Sequence, residues 1–132
     1  MNAPSKDIAD YLVSLSYLGF AIKSNLFIGN EPATDSNCVT IFDISGFQPE
    51  IGYNYNHERY YYHMLQIRVR HTHYNKGWKM INKVRNALHN KGHLIINGTN
   101  YEVIKVIQEP ALLDYDANDK VRFVMTIELQ RR

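Results

Sequence analysis

The stretch KVRFVMTIELQ at residues 120–130 limits the possible folds more than any other. Val121, Phe123, Met125, Ile127 and Leu129 fall at every second position, alternating with Arg122, Val124, Thr126, Glu128 and Gln130. Successive side chains of a strand point to opposite sides, so this pattern gives a β-strand with one apolar face and one mixed face. The same period of two recurs at Leu65, Ile67 and Val69 against Gln66, Arg68 and Arg70. CVTIFDI (38–44) is apolar and β-branched without alternation, which predicts a strand buried on both faces. NLFIG (25–29) reads as a short strand, and Asn97-Gly98 between two β-rich runs reads as a tight hairpin turn. Pro110 is expected to close the second arm of that hairpin, and LLDYDAND (112–119) to form a loop.

Two segments have the helical period instead. In residues 5–18, Ile8, Leu12, Leu15 and Leu18 form one stripe, with Ser5 as the expected N-cap and Gly19 as the stop. Trp78, Ile81, Val84 and Leu88 form another, with Asn75 as the expected cap and Gly92 as the end. The order helix, two strands, long loop, strand, helix, three strands predicts an α+β fold. Its mostly antiparallel sheet of five to six strands would carry two helices packed on one face. One domain over residues 1–132 is expected, with a long loop at 45–59 whose length and Gly, Asn and Gln content suit a functional segment.

Charge and composition narrow the function. With 15 Lys+Arg against 13 Asp+Glu, the chain is too balanced for a protein whose affinity rests on neutralising many phosphates. Cys38 is the only cysteine, so thiolate zinc clusters and an intrachain disulfide are excluded and a reducing compartment fits. No run approaches the ~18 apolar residues of a membrane span, and MNAPSKD lacks a secretory signal pattern. Ten tyrosines offer large apolar faces with polar tips, material suited to surfaces that become covered.

No catalytic or metal pattern emerges. His71 and His73 would share a side of a strand, yet no third ligand lies at suitable spacing, so no metal or cofactor is expected. Cys38 heads an apolar strand, where an inert buried thiol is the usual case. Asp114, Asp116 and Asp119 lack calcium-loop spacing, and no nucleophile elbow or phosphate-cradling glycine loop occurs. The remaining chemistry is a strip of rings and cations, Tyr60, Tyr61 and Tyr62 with Arg68 and Arg70, joined by Lys76 and Lys79. It is the basis of an alternative reading as a small nucleic-acid-binding protein that uses a Tyr/Arg sheet face.

The order of motifs resembles the tail terminator, or tail completion, family of long-tailed bacteriophages, also described as minor capsid or minor tail proteins. The resemblance rests on four stretches. They are the opening helix with NLFIGNEPATDSNCVTIFD, the unit QIRVRHTHYNKGWKMINKVRNAL, the hairpin INGTNYEVIKVIQEPALLDYD, and the terminal strand KVRFVMTIELQ. It implies a non-enzymatic virion protein forming a homo-oligomeric ring, hexameric in such proteins, assembled in the host bacterial cytoplasm. The ring would cap the tail tube, end its polymerisation and join the tail to the head or neck. Its partners would be the tube protein on one face and a head-completion or neck protein on the other, with DNA passing through the lumen unread.

Under that resemblance the expected subunit or ring contacts are Phe47, Tyr53, Tyr55, Tyr60, Tyr61, Tyr62, Arg68 and Arg70. For the two arginines, ion pairs with a neighbouring subunit and a place along the lumen both stay open. The first is preferred, because a sliding surface should avoid dense positive charge.

Overall fold

The computed structural model describes residues 2–33, 37–47 and 61–131. Its elements are α1 (Pro4–Ser14), a 3-10 turn (Ser16–Leu18), β1 (Leu26–Ile28), β2 (Cys38–Phe47), β3 (Tyr61–His71), α2 (Tyr74–Leu88), β4 (Lys91–Ile96), β5 (Thr99–Tyr115) and β6 (Val121–Arg131). The six strands form one sheet in the order β1-β2-β3-β6-β5-β4. All neighbours are antiparallel except β1 and β2, which run parallel, so the α+β sheet is mixed.

The sheet is built around β3 and β6, paired without interruption from Tyr61 opposite Arg131 to His71 opposite Val121. Their alternation sends Leu65, Ile67, Val69, Phe123, Met125, Ile127 and Leu129 into one buried cluster with Ile8 and Leu12 of α1 and Ile81, Val84 and Leu88 of α2. Both helices therefore cover the same sheet face. The sheet also curls, since α1 touches both β1 and β4, strands at its opposite edges.

Several local expectations shift. α1 ends at Ser14 rather than Leu18 because the Ser14 hydroxyl donates to the Tyr11 carbonyl, competing with the helical ladder, and the chain then tightens into a 3-10 turn. Ser5 lies inside α1, where its amide and hydroxyl donate to Asp43 of β2, fixing the helix start to the sheet. Asn75 lies in the first turn of α2, whose N-cap is His73. Gly92 lies within β4, and the turn out of α2 is made by Asn90 at φ 60°. β2 is buried on both faces only over Cys38–Ile41, and it continues through Ser45 to Phe47, so the first residues of the expected loop are strand.

The largest difference is at the β5–β6 hairpin. β5 runs on to Tyr115, and only the turn before β6 remains of the expected acidic loop. Pro110 does not end the strand because the register with β6 shifts between Gln108 and Ala111, where no ladder donor is required of it. At the other end, Asn97 (φ 50°) and Gly98 (φ 79°) make the expected tight turn into β5.

Two contacts lock the layers together. Gly77 completes the buried stripe of α2, and a Cβ there would lie 2.9 Å from the His71 Cβ and 3.0 Å from Phe123 Cε2. Asp7 of α1, fully buried, accepts hydrogen bonds from the Tyr101 hydroxyl and from Asn97 Nδ2 at 2.9 Å. Arg131 Nη1 lies 3.8 Å from the same carboxylate and donates to the Asn2 carbonyl at 2.8 Å. Burial, reinforced by the Asp7 bond, pushes the Tyr101 phenol well above its ordinary range, so it remains a donor.

Helix propensity alone predicts that Gly77→Ala gains about 1 kcal/mol. The clash with His71 and Phe123 outweighs this, so the substitution should lower the melting temperature by several degrees in a circular dichroism melt. Asp7→Ala leaves the buried Arg131 without its counter-charge and the Tyr101 hydroxyl without its acceptor. Chemical denaturation should show a loss of about 3–5 kcal/mol.

Candidate assembly surface

The sheet face turned away from the helices carries Thr40, Phe42 and Ile44 of β2 and Met64, Gln66, Arg68 and Arg70 of β3. Arg122, Val124, Thr126 and Glu128 of β6 continue it in register. Arg68 and Arg70 share this face, as the period of two requires, but their surroundings differ. Arg68 is half-buried, with Nε donating to Gln66 at 2.9 Å and its guanidinium 4.9 Å from the centre of the Phe42 ring. Arg70 is 5% exposed and sits among groups of its own chain. It donates to the Pro32 carbonyl at 2.7 Å, and carboxylate oxygens of Glu31 and Asp116 lie 4.0 and 3.9 Å away.

Arg122 extends the same network. It donates to Glu31 at 2.9 Å and to Asp114 Oδ2 at 2.6 Å, which holds the Asp114 carboxyl below its usual range and raises the Arg122 pKa further. Backbone amides of Lys120 and Asn118 lower Asp116 similarly. The β1–β2 connection and the β5–β6 turn are thus pinned to the end of this face by opposite charges.

Of the expected contact residues, Tyr53, Tyr55 and Tyr60 lie outside the described residues. Phe47 ends β2 opposite Tyr62, which pairs with Gln130 on its other side. Tyr61 is 39% exposed and stacks on His63 with ring centres 6.3 Å apart. Tyr61 and Tyr62 therefore stand together at the start of β3, while Arg68 and Arg70 lie farther along the strand.

His71 and His73 do not share a strand side, because β3 ends at His71 and His73 caps α2. The His73 amide donates to His71 Nδ1 at 3.0 Å. Burial, followed by the nearby His73, Lys76 and Lys120 charges, depresses the His71 pKa. Among the described residues, no group of three or more His, Cys, Asp or Glu is placed to hold a metal ion, and no helix is long and apolar enough to cross a membrane.

An exposed apolar patch lies elsewhere, on the helix side of the sheet. Tyr74 and Trp78 of α2 meet Phe123 edge-on, with ring centres 5.0 and 5.6 Å apart. Leu112 is the β5 neighbour of Phe123, and Tyr115 is the neighbour of Val121. Trp78 remains 40% exposed, Leu112 47% and Tyr115 55%, so they form one apolar patch along the flank of α2 that faces β5. β4 pairs with β5 only as far as Ile104, which leaves the rest of that β5 edge without a strand neighbour among the described residues.

The opposite flank of α2 is different. Leu18, Phe20 and Met80 line a groove of about 250 Å³ together with Lys76, Lys79 and Lys83. Trp78 reads from the sequence as part of the buried stripe, but Gly77 takes that place and turns the indole outward. The sequence signals for these two flanks are lysines at spacings of three and four in a helix free of acids, and Leu112, Leu113 and Tyr115 set among aspartates.

The comparisons agree with this build. A chain of the virion of a native gene transfer agent particle shares the fold, with a TM-score of 0.67 at 10% identity over 98% of this chain and 94% of that one. No curated protein matches the sequence. A family model described as bacteriophage tail terminator protein matches residues 6–131. The chain belongs to the bacteriophage tail terminator family and is a structural, non-enzymatic component of the virion tail.

Proposed function

We propose that this tail protein acts as a closed ring of identical subunits, six in number as the family resemblance implies, seated on the last disc of the tail tube. The ring ends tube polymerisation, meets the tube protein on one face and a neck or head-completion protein on the other, and lets DNA pass through its lumen without reading it. Assembly takes place in the host bacterial cytoplasm.

The observation that carries the reading is the edge of β5 beyond Ile104, which has no strand neighbour among the described residues, only the His89 side chain at the Val106 amide, and which exposes Ile107, Leu112, Leu113 and Tyr115. Long apolar edge strands are an aggregation hazard unless a partner covers them. Repetition of one contact by rotation covers every copy and closes a ring. The nucleic-acid alternative draws less support, because Arg70 is already surrounded by Glu31 and Asp116 of its own chain. The expected contacts at Phe47, Tyr53, Tyr55 and Tyr60–Tyr62 are assigned to the faces toward tube or neck, with Arg68 farther along β3.

Added to polymerising tail tubes, the purified chain should shorten the tubes and bind at one end, as seen by electron microscopy with a gold-labelled copy. Trp78→Glu should keep the fold by circular dichroism while weakening subunit association at least tenfold, the scale of a lost aromatic anchor. Unchanged tube lengths, or label scattered along the tube wall, would contradict the proposal.

A further inference from the structure

The two flanks of α2 are complementary to each other. α2 carries Lys76, Lys79, Lys83 and Arg85 and no acidic residue. Among the described residues, Arg85 has Glu109 as its partner at 2.8 Å, while Lys76, Lys79 and Lys83 have no ion pair. Across the helix, residues 109–119 carry Glu109, Asp114, Asp116 and Asp119 and no Lys or Arg. The same segment exposes Leu112, Leu113 and Tyr115. One flank therefore offers an apolar groove with three unpaired cations, and the other offers apolar side chains between Glu109 and Asp119, while Asp114 and Asp116 are held by Arg122 and Arg70 on the far face.

The placement of the two surfaces suits contact between copies. Buried residues Gly77, Ile81, Val84 and Leu88 define the underside of α2. At 100° per residue, Tyr74, Trp78 and Arg85 fall to one side of that stripe, and Lys76, Met80 and Lys83 to the other. Leu112 and Tyr115 lie on the helix side of the sheet, level with Phe123 and Val121. A rotation about one axis can then set the hairpin end of one subunit beside the groove of the next. Such a contact is heterologous, the type that closes into rings.

We propose that the groove between α2 and the Leu18–Phe20 segment receives the β5–β6 hairpin end of a second copy of this chain. Leu112 and Tyr115 pack on Phe20 and Met80, and the carboxylates of Glu109 and Asp119, which lie outside the Arg70–Arg122 network that holds Asp114 and Asp116, face Lys76, Lys79 and Lys83. The inference rests on the ring reading and names the seam that makes the ring. The lysine rim supplies register and choice of partner, and the apolar centre supplies most of the affinity.

The test uses two full-length variants, Lys79→Glu/Lys83→Glu and Glu109→Lys/Asp119→Lys, with circular dichroism to confirm folding and native mass spectrometry to count subunits. Each variant alone should associate at least tenfold more weakly than the wild type. An equal mixture should recover oligomers with even subunit numbers, because each reversed groove then meets a reversed hairpin. Carbodiimide treatment of mixed isotope-labelled wild-type chains, which needs no variant, should join an α2 lysine to a carboxylate of residues 109–119 between copies.

Wild-type oligomers that persist in both variants, or a mixture that recovers nothing, would overturn the seam and leave the ring reading standing. A strictly monomeric wild type would overturn both. Loss of DNA retention at low salt with oligomers unchanged would make the rim a phosphate-binding track and overturn the seam as well.

Discussion

The continuous pairing of β3 with β6 is the constraint on which the rest depends. Eleven matched positions, from Tyr61 to His71, fix which side chains of both strands meet the helices. A slip of one residue would send Leu65, Ile67 and Val69 to the outer face and bring Arg68 and Arg70 under α2. The pairing also sets Phe123 beneath Tyr74 and Trp78, and Arg70 beside Arg122, where both need Glu31 and the β5–β6 acids. Core, charge network and exposed flank patch follow from one register.

That register was legible because burial on one face imposes a period of two, as in Leu65 to Val69 and Val121 to Leu129. The helices were legible for the matching reason, a period near 3.6. What local pattern missed was decided by partners distant in sequence or by backbone detail. The Ser14 hydroxyl ends α1 early through one bond to Tyr11. Pro110 stays within β5 because a register shift with β6 removes the demand for its missing donor. The expected site is placed unevenly: Arg70 has its acceptor at Pro32, 38 residues away, a contact no local spacing announces. Trp78 satisfies the helical period, yet Gly77 takes the packed position because His71 and Phe123 leave no room for a side chain.

Function here lies in surfaces rather than in a reaction centre. The tail terminator assignment fits a chain whose polar side chains serve to hold elements together: Asp7 with Tyr101 and Arg131, Ser5 with Asp43, and Glu31 with Arg122. The remaining notable chemistry is on the two sides of α2, one cationic and grooved, the other aromatic beside an acidic hairpin. A single helix that separates two unlike surfaces gives each subunit a front and a back, which a head-to-tail ring requires.

A cryo-electron microscopy reconstruction of the virion at the head-proximal end of the tail tests the account most directly. It should show one closed ring of this chain on the final tube disc, with Tyr115 of each copy against the α2 groove of the next. Copies spread along the tube, or a single copy at the neck, would contradict it.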